Sequence, residues 1–532
     1  MPIRELAALR EDAISMCEEL ARIELARARG LRAPFEAAAL VRAHPLATSS
    51  DGLAQASDAL ASATTPGRSA RLAALRDFLV RVRALALEPR AAQEVRDFPL
   101  RPSVRLPGDP GLHGALAPLA VEKDLPFEPS RDRRAEMEDG LARASEEIAG
   151  ALGAAWEAAQ AALVELNEGD PVDGAWALHE RGWAEPAPQP AAAARPPDPR
   201  HPSGLVPAEA PPLRDPLTEA CESFLHSTDA VTKDLGAWML RRHCGAQTRD
   251  LSRHDVLSFV YAPKFASAFP RGEMLRTCRR WADQLRLDLS AGGLVRLDDD
   301  NRPAKPLGAR AVAVDPPHDV RVCVLPALGP APLADLLAAF GLALLRAGPP
   351  PDAPPEDLWL SDAGVDHACE ALFAFLLLDP RWTKRCARAD LSRDDERAIA
   401  VAHLFEARIR AARALSSREA HVSGFSTRAA AASRDLFQRA CGTALPAGLS
   451  LRDLDPWLGP FAELRGRAFA ASAFRNLRER FDEDFWRNPR AGAAIQGLFI
   501  RGGRPTLREL WSEIGGAPSL DPLAAFLLEA CA

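Results

Sequence analysis

Two pairs of side chains stand at spacings that can do chemistry. His367 and Glu370 lie three residues apart, and His403 and Glu406 repeat that spacing further along the chain. On a helix, positions i and i+3 share a face, so each pair presents an imidazole and a carboxylate together. Brought together in a helical core, these donor types are the ones that hold a metal in helical bundles. The plainer reading is that they are solvated or hydrogen-bonded side chains, because HxxE pairs arise readily in Glu-rich helices. A covalent mechanism needs a nucleophile with a base in reach, and Cys369 is nearest to His367. Positions i and i+2 of a helix point about 200° apart. Cys369 falls instead on the side of Val365, Leu372 and Phe373 and reads as core. His254-Asp255 and His318-Asp319 have no nucleophile motif beside them, and GxSxG, GxxxxGK[ST] and GxGxxG do not occur. Serine-hydrolase and phosphate-loop chemistry therefore have no support.

The elements that must position these residues are mainly helices. The chain has 532 residues, 47% hydrophobic and 26% charged, with a formal net charge of -7. That length exceeds one ordinary core, and the composition excludes general disorder. A mildly acidic chain lacks the field that attracts nucleic acid or anionic lipid, so no nucleic-acid partner is expected. The basic cluster Arg381, Lys384, Arg385, Arg388, Arg393 and Arg397 is interleaved with Asp390, Asp394, Asp395 and Glu396 and reads as a salt-bridged surface. No apolar leader follows Met1, and the most apolar run, Leu333 to Leu345, holds Asp335 and is short for a bilayer. A soluble, cytoplasmic protein with no membrane partner is expected. Nine scattered cysteines without a CxxC pair read as reduced, mostly buried thiols.

Residues 1–182 read as an N-terminal helical lobe, with apolar residues such as Leu6, Leu9, Ile14, Cys17 and Leu20 at helical spacing. Residues 183–216 turn sharply to Pro and Ala and read as a linker or loop. A second helical lobe spans 217–532. Within it, 309–314 and 320–325 are β-branched and flank Asp315-Pro-Pro-His-Asp319, the pattern of a hairpin. Helices are expected over 332–347 and 361–378, separated by a Pro-rich loop.

That order, with "LLLDPRW" after the second helix, resembles the thimet oligopeptidase/oligoendopeptidase F group of zinc metallopeptidases, which are gluzincins. The resemblance runs over most of 217–500. It is carried by Leu287-Asp-Leu-Ser290, Val295-Arg-Leu-Asp298, Arg302-Pro-Ala-Lys-Pro306, Ala309-Arg-Ala311, Val320-Arg-Val-Cys-Val-Leu-Pro326 and the stretch from Gly364 to Trp382. The tail Phe481-Asp-Glu-Asp-Phe-Trp-Arg-Asn-Pro489 is similar to a bacterial branch of that group. The resemblance implies a mainly α, neurolysin-like fold of two helical lobes around a cleft, with a small sheet beside it.

It also implies zinc, held by an HExxH helix and a glutamate from the next helix. Matched residue by residue, the chain departs at each place. Ala338 and Leu342 stand for the two histidines, Ala339 for the general base, and His367 for the third ligand. Alanine and leucine cannot ligate, and no tyrosine follows Tyr261 to stabilise an oxyanion. The expectation is a zinc motif that has been lost, no resident cofactor, and a pseudopeptidase that binds or regulates. Its partner would be a peptide or protein segment lying in the cleft along the sheet edge at Val320, Val322 and Val324, or an active paralogue. The alternatives are a metal-dependent hydrolase rebuilt around His367, Glu370, His403 and Glu406, and a purely structural interaction protein.

Overall fold

The structure, a computed structural model, describes residues 3–31, 35–107, 115–167, 169–183, 215–245 and 251–532. Most of the Pro/Ala-rich stretch expected as a linker lies outside these residues. Helix accounts for 71% of the chain, and the sheet has three short strands, so the α-dominated class is as expected. The helices that matter for the site are α1 (Ile3–Ala28), α2 (Pro66–Leu87), α3 (Arg131–Glu147), α4 (Pro171–Trp183), α5 (Arg253–Tyr261), α6 (Pro330–Ala347), α7 (Ala363–Ala374), α8 (Arg393–Ser423) and α9 (Gly459–Phe481).

The sheet contains β1 (Val295–Asp298), β2 (Gly308–Asp315) and β3 (Asp319–Leu325) in the order β1-β3-β2. The hairpin of β2 and β3 forms as its sequence predicts. It is antiparallel and pairs Ala311 with Val322 and Ala309 with Val324. Sequence reasoning missed β1 as a strand, and its presence changes the topology. β1 runs parallel to β3 and pairs Val295 with Val320 and Leu297 with Val322. The segment expected to be the peptide-binding edge is thus the centre of the sheet from Val320 to Cys323. Its backbone groups are engaged on both sides, and the side chains of Val320, Val322 and Val324 are 0–1% exposed. The outer edge of β2 pairs with no strand among the described residues.

Each long helix has a local reason for its start. Gly329, at φ +102°, turns the chain into Pro330 at the first positions of α6, where a missing N–H costs nothing. Asp362 caps α7 by accepting from the Gly364 amide, and Ser392 with Asp395 forms a capping box on α8. By length and composition α6 could cross a membrane, but 72% of it is buried inside the protein. It is a core helix.

α7 packs between α6 and α9. Gly341 of α6 approaches so closely that a Cβ there would lie 2.2 Å from the Cys369 carbonyl oxygen, and one on Gly466 of α9 would lie 2.6 Å from the Gly364 carbonyl. Only glycine allows backbones to meet at that range. One continuous apolar cluster takes in Leu9 and Leu79 as well as Leu337, Phe405 and Leu527, so both expected lobes share a core. Charged joints add to it. Arg71 of α2 donates two hydrogen bonds of 2.9 Å to Asp357, and Arg10 of α1 pairs with Glu356. Arg465 of α9, 1% exposed, donates to Asp362 at 3.0 Å and to the His179 carbonyl of α4 at 3.1 Å. The nine cysteines are free thiols, and all but Cys244 are buried.

Candidate functional site

Along α6, the residues that are not fully buried are Ala331, Asp335, Ala338, Leu342 and Arg346. Their three- and four-residue steps make one stripe down the helix. Ala338 and Leu342, the positions matched to the two histidines, therefore face the same way. Ala339, matched to the general base, is 3% exposed and belongs to the core.

Ala331, Asp335 and Ala338 of the stripe look onto a cavity of about 70 Å³, lined also by His403, Glu406, Arg410 and Arg467. His403, Glu406 and Arg410 come from α8, and Arg467 comes from α9. Beside it, His367 Nδ1–H donates a 2.7 Å hydrogen bond to Glu370 Oε2. His367 and Glu370 of α7 are thus joined electrostatically, through Glu463 and Arg467, to the α8 group.

The two HxxE pairs are brought into one neighbourhood, as a rebuilt metal site requires, but arginines stand between them. Arg467 Nη2 lies 3.6 Å from Glu406 Oε2, Arg410 Nη1 lies 3.9 Å from the same oxygen, and Arg410 also pairs with Glu463. His403 Nδ1 is 3.7 Å from Glu406 Oε2, too long for a hydrogen bond. Among the described residues no three His, Cys, Asp or Glu side chains converge closely enough to hold a metal ion. The residues that the resemblance matches to zinc ligands do not fit zinc either. Two are hydrocarbon, and the third, His367, is engaged by Glu370.

The local field follows from this arrangement. Burial opposes the charged form of Glu406, but Arg410 and Arg467 outweigh it and hold its pKa below the usual carboxylate value. Glu463 is drawn down to about 2 against the same burial by Arg410 and by His367. Burial likewise opposes protonation of His367, yet the hydrogen bond and charge of Glu370 raise it. His403 has no such partner, and burial pushes it down to about 4, so it is neutral at pH 7. Asp335 is the exception among the carboxylates. Among the described residues it has no ion pair within 4 Å; burial and then the nearby charge of Glu406 push it up to about 7, with Arg410, Arg467 and Arg310 acting against them.

Sequence reasoning singled out His367, Glu370, His403 and Glu406 but missed Asp335, Arg410, Glu463 and Arg467. The signal for the last three was present: Glu406 to Arg410 and Glu463 to Arg467 are both i, i+4 acid-to-base steps. The other candidates resolve as structure. Cys369 is fully buried. His254 is buried against Glu138 at 2.8 Å, and Asp255 is held by Arg131 at 3.1 Å and Arg134 at 3.3 Å. His318 is exposed in the hairpin turn.

No family model and no curated protein matches the sequence. Solved structures do match. A structure assigned as an oligoendopeptidase F superposes with TM-score 0.57 at 11% identity, covering 90% of this chain and 82% of its own. PZ peptidase A, solved with an inhibitor, gives 0.55 at 13% identity over 90% and 83%. Metallocarboxypeptidase 1 of Trypanosoma cruzi gives 0.51 at 12% identity over 99% of both chains. Such identities bear on architecture alone, and on architecture they agree with the arrangement of helices and small sheet described above: the chain has the fold of the helical, two-lobed metallopeptidases.

Proposed function

We propose that this chain is a pseudopeptidase: a metallopeptidase fold that binds a peptide or partner segment in its cleft and does not hydrolyse it. The observation that carries this reading is the stripe of α6. Ala338 and Leu342 offer no ligand where the resemblance places two, and beside Ala338 the carboxylate of Glu406 is offset by Arg467 while Arg410 pairs with Glu463. A catalytic zinc requires about three protein ligands and an open position.

Binding can outlast chemistry. The unpaired outer edge of β2 offers a row of backbone donors and acceptors to an extended segment. This transfers the expected docking edge from β3 to β2. A protein of this kind would work in the cytoplasm, either alone or beside an active paralogue.

The test is elemental analysis of protein purified without chelators, run beside cleavage of a mixed peptide library and a binding measurement on a blocked alanine-valine heptapeptide. The reading expects no stoichiometric metal, no metal-dependent cleavage and saturable heptapeptide binding. Metal-dependent cleavage that chelation abolishes would overturn it.

A further inference from the structure

Each charge in the cleft cluster has a partner except one. Glu370 is matched by His367, Glu463 by Arg410, and Glu406 by Arg467. Among the described residues Asp335 has no ion pair and no hydrogen bond, although it lines the same cavity. It also faces the first residue of β2, because a Cβ on Gly308 would lie 2.5 Å from Asp335 Oδ2. A second observation points into the same space. His403 is 7% exposed, lines the cavity, and leaves its buried Nδ1 without a hydrogen-bond partner. A buried polar atom left in this way is costly, and most native ones are matched.

Three acceptors line the cavity: the Asp335 carboxylate, the neutral imidazole of His403, and the Glu406 carboxylate, whose charge Arg467 offsets. They do not converge closely enough for a metal, whose bonds to N and O run to about 2.0–2.2 Å. An ammonium group makes longer contacts of about 2.8–2.9 Å, carries one charge and has three N–H donors. The walls are otherwise small, with Ala334, Ala338, Ala374 and Ala402 around about 70 Å³, enough for an ammonium and the carbon next to it.

We propose that this cavity binds one protonated primary amine, carried either by a lysine side chain or by the amino terminus of a bound segment, with Asp335 as its counter-ion. The inference rests on the binding-protein reading and names the group that such a partner inserts. Arg410 and Arg467 do not pre-empt the position, since each is already held by a glutamate. Arg310, exposed at the third residue of β2, is the remaining cation in range of Asp335.

The experiment uses the full chain and isothermal titration with Nα-acetyl-lysine N-methylamide, glycinamide and acetyl-alanine N-methylamide. At least one amine should bind saturably and the blocked compound should not. Preference for the lysine derivative assigns the source to a side chain, and preference for glycinamide assigns it to a chain terminus. Asp335→Asn should weaken amine binding about tenfold or more, the loss of a charge-assisted contact. Ala338→Leu should abolish it by filling the space. Thermal melts of both variants check folding, and either variant alone is sufficient if the other does not fold. Amines that bind no better than the blocked compound, or binding unchanged in a folded Asp335→Asn, would overturn the inference. The blocked heptapeptide separates the two readings. If it binds and an added lysine gives no gain, the amine site fails and the binding-protein reading stands. Amine binding without heptapeptide binding supports the cavity and removes the docking edge.

Discussion

Replacing Asp335 with asparagine should make the protein more stable at neutral pH. The carboxyl titrates near 7 in the folded chain, against an ordinary 3.8, chiefly because burial disfavours its charged form and Glu406 adds to that. Between those values the folded chain keeps a proton that the unfolded chain has released, so the carboxyl's effect is a loss of stability as pH rises from about 4 to about 7, complete above that. One pKa unit corresponds to about 1.36 kcal/mol, which sets the full penalty at up to about 4 kcal/mol; water reaching the cavity reduces it, leaving about 2–4 kcal/mol. The total pH curve would hide this. His403, His243 and His421, lowered to about 4 by burial, and His179, lowered to about 3, contribute stability that is lost as pH falls below their ordinary 6.5. The difference between wild type and Asp335→Asn isolates the carboxyl. Urea unfolding between about pH 4 and pH 8.5 should show the two proteins alike at the acid end and the variant ahead by about 2–4 kcal/mol at about pH 8. An asparagine variant that is less stable at pH 8, or a difference that does not move with pH, would refute the reasoning.

Three further outcomes follow from the packing and the ligand positions. Gly466→Ala puts a Cβ 2.6 Å from the Gly364 carbonyl oxygen and 2.6 Å from His367 Cβ, so α9 must back away from α7; a loss of about 1–3 kcal/mol is expected in denaturant unfolding, and no change would mean the contact is looser than described. Arg465→Ala strands Asp362 and leaves the His179 carbonyl without its donor, with a loss of about 3–5 kcal/mol by the same measurement. The triple change Ala338→His, Leu342→His and His367→Glu should create a site that retains one zinc per chain after dialysis, read by elemental analysis. A folded triple variant that holds no zinc would show that these positions do not correspond to zinc ligands.

Local pattern carried much of this fold. The β-branched runs either side of Asp315-Pro-Pro-His-Asp319 are a hairpin because turn chemistry and strand propensity agree there. β1 escaped notice because it has only four residues, two of them charged, and exists through parallel pairing with a strand 25 positions away, as Val295 pairs with Val320. No local signal encodes such a partner. Its absence from the sequence reading then misplaced the sheet edge. In the site, helical spacing was enough to pair His367 with Glu370 and His403 with Glu406. It could not show that Arg410 and Arg467 would be interposed, since that depends on how α7, α8 and α9 face one another. Asp335 was visible as a lone acid in an apolar run and was read only as an argument against a membrane span. Its isolation in a cavity became legible once α6, α8 and α9 were placed.

The close approach of Gly341 to the Cys369 carbonyl separates two alphabets written on one helix. In α6 Gly341 meets the backbone of α7, while Ala338 and Leu342 lie on the half-buried stripe. Replacing the outward letters costs the scaffold little, whereas replacing the inward ones would pry two helices apart. A chain built this way can change its outward residues and still have its helices held in the same stack. Recognition keyed to the reactive letters passes over such a chain. Recognition keyed to the places where two backbones touch does not.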